Sequence, residues 1–388
     1  MCGGCKVQQL DYNEQLAQKK KQVEDIFIRQ GNIKDFTVSK IIPSKDIFYY
    51  RNKMEFTFSN NRWVLPDEPE NVDKDFALGM HIPKRWDKIL NIDECHIMPK
   101  IGTEILNKTQ LLSKELQLKP YSQKTHNGFL RYLILRFGHF TGDILINIVT
   151  SYENTDLLQP LVDGLNKSFP QITTIVNNIN TRKGDTSFGE YELHLFGKPT
   201  LQEKLGDINF EISANSFFQT NSSMAEQLYQ TALDIAELKG DEVLYDLYCG
   251  TGSISLFAAK TVKEVHGFEV IVSAVEDATR NAVQNGIGNV YFHIANLDNF
   301  FKFGKGKKYP RPDVIFIDPP RAGMHKFMTN YLPKFGAEKI VYISCNPSTQ
   351  ARDAEILQNR GYRLDNLTIV DMFPHTPHIE SVGVFKKY

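Results

Sequence analysis

Cys345, Asp318 and Glu380 are the residues of this 388-residue sequence whose types and surroundings suit covalent chemistry. Cys345 lies in Ser344-Cys345-Asn346-Pro347, directly after the apolar run Ile340-Val341-Tyr342-Ile343, which predicts a buried strand ending at the thiol. Free thiols are more often core residues, but the following Asn-Pro ends the strand and exposes this one. A second run, 313–317, delivers Asp318-Pro319-Pro320-Arg321, and Pro374-His375-Thr376-Pro377-His378-Ile379-Glu380 returns another carboxylate from the C-terminal region. The carboxyl ends of strands in an open α/β sheet face the ligand crevice, so one thiol and two acids are expected to converge. Such a set suits alkylation at C5 of a pyrimidine. A thiolate adding at C6 makes C5 nucleophilic, a polar group stabilises charge at the ring edge, and a base removes the C5 proton so that the thiol can leave.

A cofactor turn is expected nearby. Asp246-Leu247-Tyr248-Cys249-Gly250-Thr251-Gly252-Ser253 follows an apolar strand and opens a helix. Its glycines, Gly250 among them, permit a tight turn and close approach of backbone to ligand. The pyrophosphate-cradling G-x-G-x-x-G and the P-loop lysine are both missing, which favours a nucleoside without pyrophosphate, such as S-adenosylmethionine. Glu269, at the end of the next strand, is placed to accept from ribose hydroxyls, and Asn296 after the third strand to border adenine. The bland reading of Glu269 is a solvated strand end. Cys249, inside the turn, reads as structural.

These residues require a sheet to position them. Beyond about 205 the rhythm is strand–helix–strand: 243–247, 254–259, 265–269, 272–285, 290–295, 314–318, 340–345, then strands at 368–372 and 382–385. That alternation predicts a mostly parallel, doubly wound α/β domain over 206–388. Residues 1–205 predict an α+β domain. It holds an amphipathic helix at 6–30, with Leu10, Leu16, Val23, Ile26 and Phe27 apolar and Lys19, Lys20 and Lys21 solvated; this helix is a candidate to pack on the catalytic domain. From 36 to 151 the pattern reads as strands, then a helix over 152–169 and strands at 172–179 and 191–196.

Composition narrows the class. Apolar residues are 41% and charged residues 23%, ordinary for a globular chain, and the formal net charge is −1. No apolar run approaches the ~18 residues of a membrane span and no signal peptide opens the sequence. Five cysteines at 2, 5, 95, 249 and 345 are too few and too irregular for a disulfide framework. A cytoplasmic monomer without membrane contact is expected. Nucleic acid would have to be met by local basic patches, for which the Lys302–Arg311 loop and the pair Arg51 and Lys53 are candidates.

Together SANSFFQTN (213–221), DLYCGTGSISL (246–256), DPPRAG (318–323), SCNPSTQARD (344–353) and FPHTPHIE (373–380) resemble the TrmA/RumA-type RNA (uracil-5-)-methyltransferases, with YRNKMEF (50–56) extending the likeness. The resemblance implies a Rossmann-like class I S-adenosylmethionine methyltransferase domain, Cys345 as nucleophile and Glu380 as proton-abstracting base. It also implies that Gln219, Tyr248, Ser253, Glu269, Asn296 and Asp318 line the cofactor and base pocket; Ser253 stands where relatives often carry asparagine. Phe217 is the candidate for stacking on the target ring, with packing at a domain interface as the other reading. Cys2-Gly3-Gly4-Cys5 with Cys95 resembles the iron–sulfur site of the rRNA-directed branch, where four thiolates hold a [4Fe–4S] cluster. Only three are present here, and the resemblance implies that the small N-terminal TRAM domain is lacking. It points to RNA as partner: 23S rRNA, with the tRNA T-loop as the alternative. The target base must be flipped out to reach Cys345.

Rival readings stay open. Asp318-Pro319-Pro320 is similar to the D/N-P-P motif of N-methyltransferases, for which Cys345 and Glu380 would be superfluous. Cytosine C5 enzymes acting on RNA typically use two cysteines on adjacent strand ends, and here Pro319 follows Asp318. A non-catalytic RNA-binding or redox-sensing protein would leave the whole catalytic set without a purpose.

Overall fold

A computed structural model describes residues 2–34, 36–69, 71–297 and 309–388. The expected basic loop Lys302–Arg311 therefore falls outside the described residues up to 308. The chain forms two compact units: residues 1–6, 46–204 and 211–215 in one, and 7–45, 205–210 and 216–388 in the other. The sequence pattern suggests a single cut near 205. Residues 7–45 instead belong to the C-terminal unit, because their apolar side chains complete its core.

That segment opens with α1 (Tyr12–Arg29), capped by Asp11, whose carboxylate accepts from Asn13 N. Val23 and Phe27 of α1 are fully buried in the core that contains Tyr245, Phe268, Ile315 and Tyr342. Burial of side chains this size stabilises by roughly 1.5–3 kcal/mol each. The other buried residues of its inner face are polar, Gln15 and Lys19. The expectation that Lys19 is solvated is thus corrected: it is 4% exposed. Strand β1 (Lys40–Ile42) follows.

The N-terminal unit is built on β2 (Lys53–Ser59), β3 (Ala77–Ile82), β4 (Arg85–Asn91), α2 (Lys100–Glu115), β5 (Leu130–Phe137), β6 (Ile144–Thr150), α3 (Thr155–Ser168), β7 (Thr174–Ile179) and β8 (Tyr191–Gly197). Its seven strands run β4-β3-β2-β5-β6-β7-β8, antiparallel except for β6–β7, which α3 joins as a parallel crossover. Helix α2 is absent from the sequence expectation. Its buried face is largely Gly102, Thr103, Thr109 and Ser113, so an apolar repeat of 3.6 is hard to read there. A hairpin, β9 (Leu201–Leu205) and β10 (Ile208–Ile212), follows.

The C-terminal unit continues with α4 (Ser222–Ala236), β11 (Val243–Leu247), α5 (Ser253–Ala258), β12 (Glu264–Glu269), α6 (Val272–Gln284), β13 (Val290–Ile294), β14 (Val314–Ile317), α7 (Lys326–Tyr331), β15 (Lys339–Ser344), α8 (Pro347–Gln358), β16 (Tyr362–Val370) and β17 (Glu380–Lys387). The sheet order is β1-β16-β17-β15-β14-β11-β12-β13. From β15 to β13 it is parallel, while β17 lies antiparallel between β15 and β16. The strand order reverses beside β11, flanked by β12 and β14, and this is the switch point where such sheets bind ligands. The fold is the class I S-adenosylmethionine methyltransferase α/β fold with an additional N-terminal β-rich region.

Candidate active site

Strand direction brings the reactive groups together. Asp318 follows β14 and Cys345 follows β15, both at the carboxyl edge of the parallel strands. Antiparallel β17 starts where β15 ends, with Ser344 opposite Ser381. Its first residue, Glu380, is thereby set level with Cys345. The turn at the end of β15 is fixed by Asn346, whose side chain accepts from Ser348 N and donates to the Arg321 carbonyl (3.1 and 2.9 Å). Behind the edge, Gln350 donates to the Tyr342 carbonyl and accepts from Ser381 Oγ (2.8 and 2.7 Å), so α8 ties β15 to β17.

The three groups share one electrostatic field. Burial pushes the Cys345 thiol up to about 11, the charges of Glu380 and Asp318 push the same way, and Arg321, hydrogen-bonded to the thiol, pulls it down. Glu380 is buried, and desolvation followed by the charge of Asp318 raises it well above the ordinary carboxyl range, with Arg321 opposing. Asp318 is half-buried as a residue while its carboxyl lies deep. Burial first, and Asp246 second, push it up to about 7. Gln219 Nε2 donates to Asp318 Oδ2 at 3.5 Å. A cavity of about 210 Å³ opens on Cys345, lined also by Arg321, Asn346, His378, Ile379 and α1 residues Gln22 and Ile26. Arg321 donates to His378 Nδ1 across it (3.2 Å, the ring nitrogen accepting). Sequence pattern alone gives Arg321 no role; its place three residues beyond Asp318 was the available signal.

The turn after β11 has the shape of a nucleoside cradle. Tyr248 and Gly250 both take left-handed backbone, φ 66° and 54°. An added Cβ at Gly250 would meet nothing within 4 Å, so that glycine serves the backbone angle and faces open space. At Gly252 an added Cβ would come within 2.6 Å of the Phe292 ring, so this glycine lets the turn pack. Glu269 accepts from Gly250 N (3.1 Å) and from Val270 N and Ile271 N (2.7 and 3.0 Å). It is thus a bridge holding the turn, not a free strand end. A cavity of about 130 Å³ is lined by Tyr248, Phe268, Glu269, Val270, Ala295, Asn296 and Leu297. An acid beside apolar and aromatic walls fits a ribose and an adenine. Ser253, half-buried, exchanges a hydrogen bond with Tyr229 OH at 2.9 Å. Cys249 is buried and its thiol is held well above the usual range by that burial, consistent with a structural thiol.

Phe217 is 65% exposed, and its carbonyl accepts from Thr251 Oγ1 (3.3 Å). The segment that carries Glu380 is held from behind. Lys19 Nζ reaches Asp371 Oδ1 at 2.6 Å and the Phe373 carbonyl at 3.1 Å. Tyr12 OH donates to Asp371 Oδ2 (2.8 Å), and Gln15 accepts from His375 N (2.9 Å). His375 itself sits at φ 64°, a conformation that needs such support. This brace joins residues more than 350 positions apart and leaves no trace in local sequence pattern.

In the N-terminal unit, desolvation and then the charges of Cys95 and Cys2 push the Cys5 thiol up to about 11, with Arg51 opposing. The three thiols are therefore neighbours. Among the described residues, though, no three His, Cys, Asp or Glu side chains are arranged to hold a metal ion, and a [4Fe–4S] cluster takes four thiolates. As they stand the residues do not fit the cluster. Lys53 pairs with Glu55 at 2.6 Å, and Arg51 lies beside the thiols and donates to the Lys53 carbonyl (2.9 Å). Neither is the free basic patch that the sequence suggests. No helix among the described residues is long and apolar enough to cross a membrane.

Fold and site define a class I methyltransferase with a thiol at the carboxyl edge of its parallel strands. The tRNA (Uracil-5-)-methyltransferase family profile matches residues 196–388. The Uncharacterized RNA methyltransferase CT0009 of Chlorobaculum tepidum is 41% identical, covering 100% of this chain and 81% of the relative. An Uncharacterized RNA methyltransferase of Bacteroides thetaiotaomicron is 39% identical, covering 98% and 85%. The crystal structure of Pyrococcus abyssi tRNA (uracil-54, C5)-methyltransferase in complex with S-adenosyl-L-homocysteine superposes with TM-score 0.78 at 32% identity, covering 99% of this chain and 86% of that one. The chain belongs to the RNA (uracil-5-)-methyltransferase family.

Proposed function

We propose that this protein methylates C5 of a uridine in RNA through a covalent bond between Cys345 and C6 of the base. The observation that carries the reading is the meeting of Cys345, Asp318 and Glu380 at the ends of three adjacent strands, next to the glycine turn. S-adenosylmethionine, held by the turn and by Glu269 and Asn296, supplies an electrophilic methyl group. Cys345 loses its proton to solvent at the mouth of the cavity, the Arg321 guanidinium stabilising the thiolate, and the thiolate adds to C6 as the C5–C6 π pair moves toward the uracil edge. Asp318, whose carboxyl burial pushes up to about 7, meets the uracil edge and stabilises the charge that develops there, and Gln219 fixes its orientation. After C5 is methylated, Glu380 takes the C5 proton as that C–H pair returns to the ring. The C6–S bond then breaks, restoring the C5–C6 double bond and the thiolate. Phe217 offers an exposed ring on which the extruded base stacks. The three clustered N-terminal thiols support an rRNA-directed enzyme; the likeness to the Pyrococcus abyssi tRNA enzyme favours a tRNA uridine as the second reading.

RNA carrying 5-fluorouridine tests the covalent step, because fluorine cannot leave C5 as a proton does. A denaturation-resistant adduct is expected with the wild type and none with Cys345→Ala. With natural uridine, Glu380→Gln should accumulate a methylated covalent complex. Trapping that persists in Cys345→Ala overturns the reading.

A further inference from the structure

Resting on the RNA reading above, we infer that the outer face of α1 is the track along which the single RNA strand beside the target uridine lies. The inner face of α1 is buried, but its outer face walls a groove of about 470 Å³ with Gln18, Lys21, Gln22, Asp25, Ile26 and Arg29, closed on the other side by Ser348 of α8. This groove does not stand alone. Gln22, Ile26 and Ser348 also line the cavity that opens on Cys345, so the two run into one another. A strand whose base enters the Cys345 cavity thus has a path away from it that starts here.

The chemistry of the walls suits that occupant. Lys21 and Arg29 stand two turns apart on one face, and the span from Gln18 to Arg29 is about 16 Å at 1.5 Å per residue, enough for a few nucleotides. Arg29 is 3.9 Å from Asp25, and neighbouring Lys20 is 4.0 Å from Glu24. These are long, solvent-screened pairs that leave the cations able to meet phosphate. Between Lys21 and Arg29, Gln22 carries an amide that donates and accepts, as base edges do, and Ile26 supplies an apolar patch on which a base face can rest. An open, mixed wall of this kind fits an unstacked strand better than a duplex, and a flipped base requires the strand to be locally unstacked.

The test is the charge reversal Lys21→Glu with Arg29→Glu, compared with wild type and with Lys263→Glu, an exposed lysine before β12 at the opposite sheet edge. The probes are unmodified transcripts of 23S rRNA and of an elongator tRNA. Affinity is measured across a salt series, alongside S-adenosylmethionine affinity by calorimetry. The double variant should bind the methylated transcript several-fold more weakly. The slope of log affinity on log salt should fall by about 0.7 for each phosphate that the protein no longer neutralises. Cofactor affinity should hold, which shows the unit is folded, and Lys263→Glu should behave as wild type. RNA affinity and slope unchanged by the double reversal overturn the track, as does an equal weakening with Lys263→Glu. If the wild type methylates neither transcript and gives no fluorouridine adduct, the functional reading itself fails, an outcome distinct from either.

Discussion

The reactivity of Cys345 is set by burial first and then by three charges. Its thiol sits at about 11 because it is buried between Glu380 and Asp318, and Arg321 is the one partner pulling the other way. Alkylation by iodoacetamide follows the thiolate fraction. Below the thiol pKa, the rate at Cys345 should therefore rise about tenfold per pH unit. Arg321→Met removes the stabilising cation, so the profile should move to higher pH. Glu380→Gln removes an opposing negative charge, so the profile should move to lower pH. Peptide mass spectrometry reads Cys345 apart from the other four thiols. A profile that Arg321→Met leaves in place would show that the guanidinium does not act on the thiol. The thiol and both acids were legible in the sequence because each follows a strand or a proline-rich turn with a distinctive local pattern. Their pKa values were not, because burial and mutual charge arise only when the strands are side by side.

Helix α1 acts as a positioning element. Its Lys19–Asp371 pair is buried on both sides, with side chains 5% and 1% exposed, and it grips the segment leading into Glu380. Removing one partner of a buried pair costs about 3–5 kcal/mol, whereas replacing both by apolar groups is often nearly neutral. Lys19→Met should therefore lower unfolding free energy by about that amount. Lys19→Met with Asp371→Leu should recover much of it. If the pair serves mainly to place the Glu380 segment, the double variant stays slow and accumulates the methylated covalent complex, because the base is no longer aimed at C5. Chemical denaturation and adduct quantification separate the two effects. A double variant turning over at the wild-type rate would reduce the pair to a structural role. The apolar repeat locates the C-terminal end of α1 but starts the helix six residues early, before the Asp11 cap, and it assigns Lys19 to solvent. A lysine at helical spacing says nothing about an aspartate 352 residues away. Helix α4 escaped for a reason like that of α2: Ser222, Ala225, Thr231, Ala232 and Ala236 make up much of its buried face, and small residues carry little hydrophobic signal.

At the scale of the whole molecule, the centre of the parallel sheet was readable because β11, β14 and β15 are short apolar runs followed by a turn. The amphipathic pattern of the N-terminal helix made it a candidate to pack on the catalytic domain, but the incorporation of the whole segment 7–45 into the C-terminal unit was not readable, since chain order gives no cue to it. RNA choice is of this second kind. A net charge of −1 gives no global attraction to a polyanion, so affinity must come from local surfaces such as the α1 groove. Both 23S rRNA and the tRNA T-loop can present a uracil to the same catalytic groups, and discrimination lies in contacts to the flanking strand. The proposed rRNA preference rests on the resemblance of Cys2, Cys5 and Cys95 to the thiols of the rRNA-directed branch. Deleting the gene in its host should therefore remove 5-methyluridine from a 23S site and leave tRNA at its normal content, as read by mass spectrometry of separated RNAs. Return of the mark with the wild-type gene, but not with Cys345→Ala, ties the loss to this active site. Loss confined to tRNA would overturn the rRNA assignment while leaving the uracil-5 chemistry intact.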